Sequence, residues 1–463
     1  MRKSQPTPTA RLSSFLFRPV DGASLAAFRV AFGGFGVGFV WNLLHEDRIA
    51  RLWIEPGFHF HYEGFHWVAR WPGDGLYVHV GVMAVCAAAM ALGAYYRVAS
   101  LVFALGFTHL FLLEASEFEN HHYLFLLLCW ILVFAPAQRV FSVDAWRSGG
   151  VAGELVPAWA VLTLRAQWAV VFLHSALSKL NGDWLRGWPM LLWLPDAPEI
   201  GGIGPFFDEA WMAVAWSYSG IGFDLTIVPL LLYRPTRDFA FVALCVFFGT
   251  VYLVLGVGFF AAIGIFSALL FYPPDWPRRV LGLREARGPT RAAPGIGRLQ
   301  ELGSTLIVAY LLLQLLLPFR HWLHPGDASW TEEGHEFAWR MMLRDKRAEI
   351  RFRVTDPATG ESFEPDLRRQ LTARQHWKMA RRPELIRQFA HSLSAAHDGA
   401  EIRVVSSVSL NGRRPQPMID PTVDLAAEPH RFGAAPWVLP LHEPLRPRAV
   451  VLAEPRGSYS PPR

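Results

Sequence analysis

Runs of apolar residues dominate the chain as far as about residue 318. They have the length of a membrane span, or close to it, at 30–44, 76–96, 98–113, 122–136, 157–178, 210–233, 239–272 and 302–318. The run at 239–272 contains no charged residue. As one helix it would extend roughly 51 Å across a hydrocarbon core of only ~30 Å, so two shorter helices joined at 256–258 fit better. The pattern therefore predicts a polytopic α-helical membrane bundle of about nine transmembrane helices.

The distribution of positive charge sets the expected orientation of this bundle. With the N-terminus in the cytoplasm, the basic connections near Arg97 and Arg139 also lie inside, as the positive-inside rule requires. The basic stretch 278–298 lies inside only if 239–272 crosses the membrane twice. The acidic turn 114–119 and the C-terminal part of the chain are then expected outside the cytoplasm.

The hydrophobic pattern changes after the last apolar run. Residues 349–354 and 401–410 alternate apolar and polar positions, as half-buried strands do. The dipeptide Asn411-Gly412 is a hairpin signal, and residues 384–397 place apolar side chains at helical spacing. The sequence thus predicts that a mixed α/β, strand-rich extracytoplasmic domain follows the bundle.

These patterns divide the chain into six segments. They are a flexible N-terminal tail at 1–20, the transmembrane domain at 21–275, a basic cytoplasmic linker at 276–300, the last transmembrane helix at 301–320, the extracytoplasmic α/β domain at 321–442 and a disordered tail at 443–463.

Composition agrees with a membrane protein and excludes other classes. Apolar residues make up 52% of the chain and aromatic residues 14%, with a mean hydropathy of +0.22. The net charge of +5 is modest, and a basic linker on a membrane protein is better explained by an anionic lipid surface than by nucleic acid. All three cysteines lie inside predicted spans, so a disulfide framework is not expected.

Lys179 is the first candidate functional residue. It lies at the outer end of the fifth predicted span and is followed by Asn181, Asp183 and Trp184. One interpretation is an interfacial lysine that extends to water beside a Trp anchor. The other is a partly desolvated amine that acts as a general base.

Arg165 and Asp224 fall at comparable depth in the fifth and sixth predicted spans. A single charge inside a bilayer is costly unless it has a partner. We therefore expect a structural ion pair between these two residues.

Asn120 and His121 begin the fourth predicted span from the outer face, level with Lys179. Alone, such residues are usually interfacial, but an amide and an imidazole beside a base are more suggestive of a site. The first outer loop, GFHFHYEGFHW, has ligand types that suit zinc or iron. Its interleaved aromatic residues favour an interfacial belt instead, so no metal is expected. The histidine and carboxylate residues of that loop are His59, His61, Glu63 and His66.

Several segments carry a resemblance to a known family. They are RPVDGASLAAFR (18–29), NHHYLFLLL (120–128), FSVDAW (141–146), LSKLNGDW (177–184), FYPPDWPRR (271–279), LLLPFRHWL (315–323), SWTEEGHEFAWRMM (329–342) and SLNGRRPQPMIDPTVDLA (409–426). In this order they resemble the vitamin K-dependent γ-carboxylase family and its bacterial relatives with the same HTTM-type transmembrane domain. The resemblance covers most of the chain, from about residue 18 to 440.

The resemblance implies an enzymatic function and roles for four residues. Lys179 matches the lysine that deprotonates vitamin K hydroquinone, and His121, after Asn120, matches a histidine that helps to bind or stabilise the reacting quinone. His321 matches a further histidine near the start of the soluble part. Lys179 and His121 are thus the expected catalytic residues, and Asn120 and His321 the expected substrate-binding residues.

The implied reaction converts a reduced quinone, vitamin K hydroquinone or menaquinol, to its epoxide with O2. The alkoxide formed on the way removes the γ-proton of a peptidyl glutamate, and the carbanion captures CO2. The expected partners are therefore membrane lipid, quinone and a Glu-containing peptide or protein, without metal or nucleic acid. The expected location is a bacterial inner membrane, with multiple spans and the C-terminal domain in the periplasm.

One departure from the family leaves the function open. In an ungapped comparison, relatives have a histidine where this chain has Phe248, and often a polar residue where it has Val251. The chain could therefore retain only epoxidation, or be a non-catalytic protein that keeps the fold and binds a quinone, lipid or peptide. Transport of a hydrophobic solute is less favoured because the sequence shows no inverted repeat.

Overall fold

The structure, a computed structural model, describes residues 7–149, 153–198, 204–256, 258–288, 297–431 and 433–453. Its helices are α1 (Pro8–Leu16), α2 (Ala23–Leu44), α3 (Gly75–Leu92), α4 (Tyr96–Leu113), α5 (Asn120–Phe134), α6 (Val143–Arg147), α7 (Trp159–Lys179), α8 (Gly182–Leu185), α9 (Met190–Trp193), α10 (Ala210–Leu232), α11 (Arg237–Leu255), α12 (Gly258–Ala268), α13 (Trp276–Val280), α14 (Arg298–Leu316), α15 (Ala328–Thr331), α16 (Ala373–Met379), α17 (Pro383–Ala396) and α18 (Arg448–Ala453). The strands are β1 (Pro19–Asp21), β2 (Leu155–Pro157), β3 (Lys346–Thr355), β4 (Ser362–Phe363) and β5 (Glu401–Leu410).

Membrane-spanning helices make up the N-terminal part of the protein. Among the described residues, seven helices are long and apolar enough to cross a bilayer: α2, α3, α4, α7, α10, α11 and α14. Helices α5 and α12 are apolar but shorter. The chain is therefore helical and polytopic, as predicted, but the expected count of about nine spans is not confirmed.

The long charge-free run forms two helices that fold back on each other. Gly256 ends α11 in the left-handed region at φ 70°, and α12 begins at Gly258. A Cβ atom on Gly264 of α12 would lie 2.2 Å from the ring of Phe248 on α11, so the two helices pack closely side by side. The predicted division of 239–272 is confirmed.

The C-terminal region contains one small antiparallel sheet with strand order β4-β3-β5. Both predicted strands are present, and β5 ends at the Asn411-Gly412 turn. The apolar face of α17 is buried against the sheet, where the rings of Phe389 and Phe352 are 5.3 Å apart. The expectation of a strand-rich domain is wrong for the described residues, because most of this region is helical or irregular.

Parts of both tails are ordered, in contrast to the sequence prediction. Helix α1 packs on α14, where the Oγ atoms of Ser13 and Ser304 are 2.9 Å apart, and β1 pairs with β2. The expected disordered tail includes the helix α18. Residues 1–6 and 454–463 lie outside the described residues.

We call the part of the chain from residue 321 onward the soluble region. It covers one end of the helix bundle. Arg413 forms an ion pair with Asp183, just after α7, at 2.6 Å. The opposite end holds Arg278, whose guanidinium lies 2.8 Å from Asp21 and 3.2 Å from Glu154. Lys179, the last residue of α7, therefore lies at the end that the soluble region covers.

Candidate functional site

A cavity of about 630 Å³ lies where α5, α7, α10 and α11 meet residues 341–342 of the soluble region. We call it the lysine cavity, because Lys179 lies on its wall. Asn120 and His121, at the start of α5, line the same cavity. The structure thus brings together three of the four residues that the sequence singled out for the reaction.

Lys179 is buried in this cavity rather than extended to water. Its residue exposure is 8%, and its Nζ lies 2.6 Å from Asp224 Oδ2 and 2.5 Å from Ser175 Oγ. The ring of Trp184 lies on a further side, with its centroid 5.6 Å from Nζ. The interpretation of Lys179 as an interfacial, water-exposed lysine is therefore wrong.

The expected ion pair between Arg165 and Asp224 is also wrong. Arg165 donates hydrogen bonds to the backbone carbonyls of Leu270 at 2.6 Å and Tyr272 at 2.9 Å. Asp224 binds Lys179 instead. The expected pairing took the ends of the two helices to be level. In the structure α10 extends past the end of α7, so that Gly220, ten positions after the start of α10, lies beside the Lys179 side chain.

Asn120, a residue of the cavity wall, has a buried acceptor without a hydrogen-bond partner in the part of the chain that the structure describes. Its Nδ2 donates to the carbonyl of Arg340 at 3.4 Å, whereas its Oδ1 is buried and has no hydrogen-bond partner among the described residues. A buried polar atom without a partner is costly, and a ligand hydroxyl would satisfy it. The adjacent His121 ring lies 5.1 Å from the ring of Phe259 on α12.

The rest of the lysine cavity is mainly apolar. Phe172, Phe260 and Phe248 contribute rings to its wall, together with Val251. Phe248 is 1% exposed and lines the cavity with a packed ring. The position at which the resemblance implies a histidine in relatives therefore belongs to the cavity wall rather than to a distant surface.

A second cavity, of about 720 Å³, adjoins the first. Glu119 and His121 line both, so this short segment forms the wall between them. The second cavity lies between α2, α4 and α16 and combines aromatic side chains with a charged rim that includes Glu46 and Arg48. Nothing in the sequence pattern indicated it, because its walls come from distant parts of the chain.

His321, the fourth expected site residue, does not line the lysine cavity. It lies in the 3₁₀ turn after α14, where its Nδ1 is 2.7 Å from the carbonyl oxygen of Pro318. Its part in substrate binding stays a prediction.

The soluble region contacts the Lys179 segment directly. Arg413 binds Asp183 through two nitrogens, at 2.6 and 2.8 Å, and Asn411 Nδ2 donates to the same carboxylate at 2.8 Å. A Cβ on Gly412 would lie 2.7 Å from the Trp188 ring, and φ at Gly412 is 73°. The hairpin turn that the sequence predicted is thus a docking element for the segment after α7.

The histidine-rich outer loop does not form the cluster that its spacing suggested. His59 Nδ1 lies 3.0 Å from the buried carboxylate of Glu114. Within the loop, Glu63 Oε2 lies 3.3 Å from His66 Nε2. Glu63 also groups with Glu384 and His430 of the soluble region, and the potential ligand atoms of these three residues lie within 4.8 Å of one another. None of these residues lines the lysine cavity.

Comparison with known protein families covers both parts of the chain. Residues 17–276 match the model of the HTTM domain, and residues 299–444 match the model of the vitamin K-dependent gamma-carboxylase lumenal domain. No solved structure matches the chain. Both matched domains contribute to the wall of the lysine cavity. Its helices belong to the HTTM domain, and Met341 and Met342 belong to the lumenal domain.

Proposed function

Because the chain belongs to the vitamin K-dependent gamma-carboxylase family, we propose that it oxygenates a reduced quinone to its epoxide in the lysine cavity. Coupling of this step to γ-carboxylation of a peptidyl glutamate is part of the same proposal. The observation that carries it is the shared position of Lys179, Asn120 and His121 on one largely apolar cavity.

Lys179 is the proposed base for the quinol hydroxyl. Proton transfer along its 2.6 Å hydrogen bond to Asp224 converts the ion pair into a neutral amine and a carboxylic acid. The amine then accepts the hydroxyl proton of the quinol, and the O–H bonding pair stays on the oxygen. In a cavity of low polarity the neutral pair avoids part of the desolvation cost of two buried charges.

Asn120 and His121 are the proposed binding groups for the quinone ring. The free Asn120 Oδ1 accepts a hydrogen bond from a quinol hydroxyl, and His121 faces the same space. O2 then adds to the deprotonated ring. Overall, quinol and O2 give the quinone epoxide and water, so the quinol supplies the two electrons that reduce one oxygen atom.

Carboxylation uses the strong base that forms during this oxygenation. The base removes a γ-proton from a peptidyl glutamate, and the resulting carbanion forms a C–C bond with CO2. Exclusion of bulk water protects such a base from quenching. The proposed glutamate-bearing partner is a peptide or protein on the side of the soluble region, outside the cytoplasm of a bacterial inner membrane.

The position of the cavity suits a lipid-dissolved substrate. Val246 lines the cavity and is 63% exposed on the surface of the bundle, and Ser219 of α10 is an exposed lining residue as well. The exposed lining residues Val246 and Ser219 thus mark the side from which we expect a quinol to enter from the bilayer.

The second candidate is a non-catalytic protein that binds a quinone, lipid or peptide. Phe248 favours it, because an apolar ring stands on the cavity wall where relatives have an imidazole. The two candidates differ in whether epoxide forms.

The test is to incubate the purified protein in lipid with reduced vitamin K and O2 and to measure epoxide. We expect epoxide from the wild type, a loss of about 100-fold or more in Lys179→Ala, and little change in the adjacent Ser178→Ala. A Glu-containing peptide with labelled CO2 then reports carboxylation. Absence of epoxide from a wild type that binds quinone would overturn the enzymatic proposal in favour of the second candidate.

A further inference from the structure

Three neighbouring side chains of α16 bind three glutamates of the outer turn that precedes α5. Arg374 Nε lies 2.7 Å from Glu117, and Gln375 Nε2 donates to Glu114 at 2.9 Å. One helical turn further on, Lys378 Nζ donates to Glu119 Oε1. Residues four apart share one helix face, so α16 holds the whole turn with a single surface.

The three glutamates differ in the cavities that they line. Glu114 and Glu117 line only the second cavity, whereas Glu119 lines both cavities. Glu119 is also the residue directly before Asn120 and His121, at the N-terminal boundary of α5. A displacement of Glu119 would therefore move the proposed quinol-binding groups, whereas loss of the Glu117 contact would leave that segment held.

Lys378 supplies the compensating charge for Glu119. The Lys378 side chain is 10% exposed and that of Glu119 is 37% exposed, so the lysine reaches the carboxylate from the protein interior. Desolvation acts to raise the pKa of Glu119, but the Lys378 ammonium together with His121 and His122 outweighs it and holds that pKa well below its usual range. The carboxylate is thus ionised at neutral pH and is fixed by one buried donor.

We propose that Lys378 is a positioning residue for the quinol site: through Glu119 it fixes the wall from which Asn120 and His121 face the lysine cavity. The expected effect of Lys378 on kinetics rests on the proposed function. In this arrangement the soluble region completes a site whose reacting groups all belong to the transmembrane domain.

The test compares two methionine variants that each remove one cation from the same face of α16. Lys378→Met releases Glu119, and the matched control Arg374→Met releases Glu117, which does not line the lysine cavity. We expect Lys378→Met to lower kcat/KM for epoxide formation about 10- to 100-fold, the effect of misplacing a binding group. Arg374→Met is expected to stay within about 3-fold, and Lys378→Arg, which keeps the charge, to recover most of the lost rate.

Quenching of tryptophan fluorescence by oxidised vitamin K measures quinone binding and needs no turnover. Trp184 and Trp216 line the lysine cavity, so a quinone bound there is expected to quench part of the emission. We expect weaker quinone binding in Lys378→Met than in Arg374→Met, with similar melting temperatures for the two variants. Equal kinetic and binding effects in both variants, or no recovery in Lys378→Arg, would overturn the positioning role. A wild type that binds quinone without forming epoxide would overturn the proposed function alone, and the binding comparison would still decide the role of Lys378.

Discussion

Lys179 and Asp224 belong to different transmembrane helices, α7 and α10, and form an ion pair with 2.6 Å between Nζ and Oδ2. Ser175 adds a third polar atom, one helical turn before Lys179. A buried pair of this kind costs desolvation, so it contributes little to stability by itself. It does place a proton donor and a proton acceptor together on the wall of the lysine cavity.

Asp224→Asn is expected to lower epoxide formation about 100-fold or more, because an amide cannot exchange a proton with Lys179 in the same way. The side chain keeps its size, so the cavity shape should be preserved. Epoxide production by purified protein in lipid measures the effect. The control is Asp238→Asn, since Asp238 bonds to Tyr272 in another part of the bundle. Equal activity in both variants would remove Asp224 from the proton path.

Gly264→Ala is expected to destabilise the α11–α12 hairpin by about 1–3 kcal/mol, because the added Cβ would overlap the Phe248 ring. Thermal unfolding in detergent measures the loss. The double variant Gly264→Ala with Phe248→Leu should recover part of it, since leucine removes ring atoms from the contact. Additive losses in the double variant would contradict the direct contact between the two positions.

Arg413→Ala is expected to loosen the soluble region from the end of α7. The ion pair with Asp183 has side-chain exposures of only 10% and 14%, and breaking such a pair leaves a poorly compensated carboxylate at a cost of about 3–5 kcal/mol. Limited proteolysis and the melting temperature report the change. Arg414→Ala is the matched control, because the neighbouring Arg414 is exposed. The same melting temperature in both variants would show that the docking contact contributes nothing.

Lys346 is expected to make the free energy of unfolding of the soluble region rise with pH in the alkaline range. Burial lowers its pKa from 10.5 to about 8, although Glu332 at 3.1 Å opposes the shift. Between these two pH values the unfolded state holds more protons, so the free energy of unfolding rises with pH. Relative to Lys346→Met, the wild type should gain about 2–3 kcal/mol from pH 7 to 10.5. Parallel stability profiles for the two proteins would contradict this.

The parts of the fold with strong local signals were predictable from the sequence. Strand β5, the Asn411-Gly412 turn and the break near Gly256 follow from alternation, turn chemistry and the thickness of a bilayer. Lys179 and His121 stood out because polar residues at membrane depth are rare, and the structure places both on one cavity.

The partners of these residues were not predictable in the same way. The expected pairing of Asp224 with Arg165 failed because the ends of the two helices were taken to be level, whereas α10 extends past the end of α7. Lys378 and Glu119 are 259 residues apart, and only the docking of the soluble region brings them together. No spacing rule in a single sequence connects α16 to the turn before α5 at that separation.

The wall that the two cavities share at Glu119 and His121 has a pharmacological consequence. On the proposed function, a small molecule bound in the second cavity would contact the shared wall at His121 without occupying the lysine cavity. We then expect it to inhibit epoxide formation without competing with the quinol, and the charged rim at Glu46 and Arg48 suits a water-soluble compound.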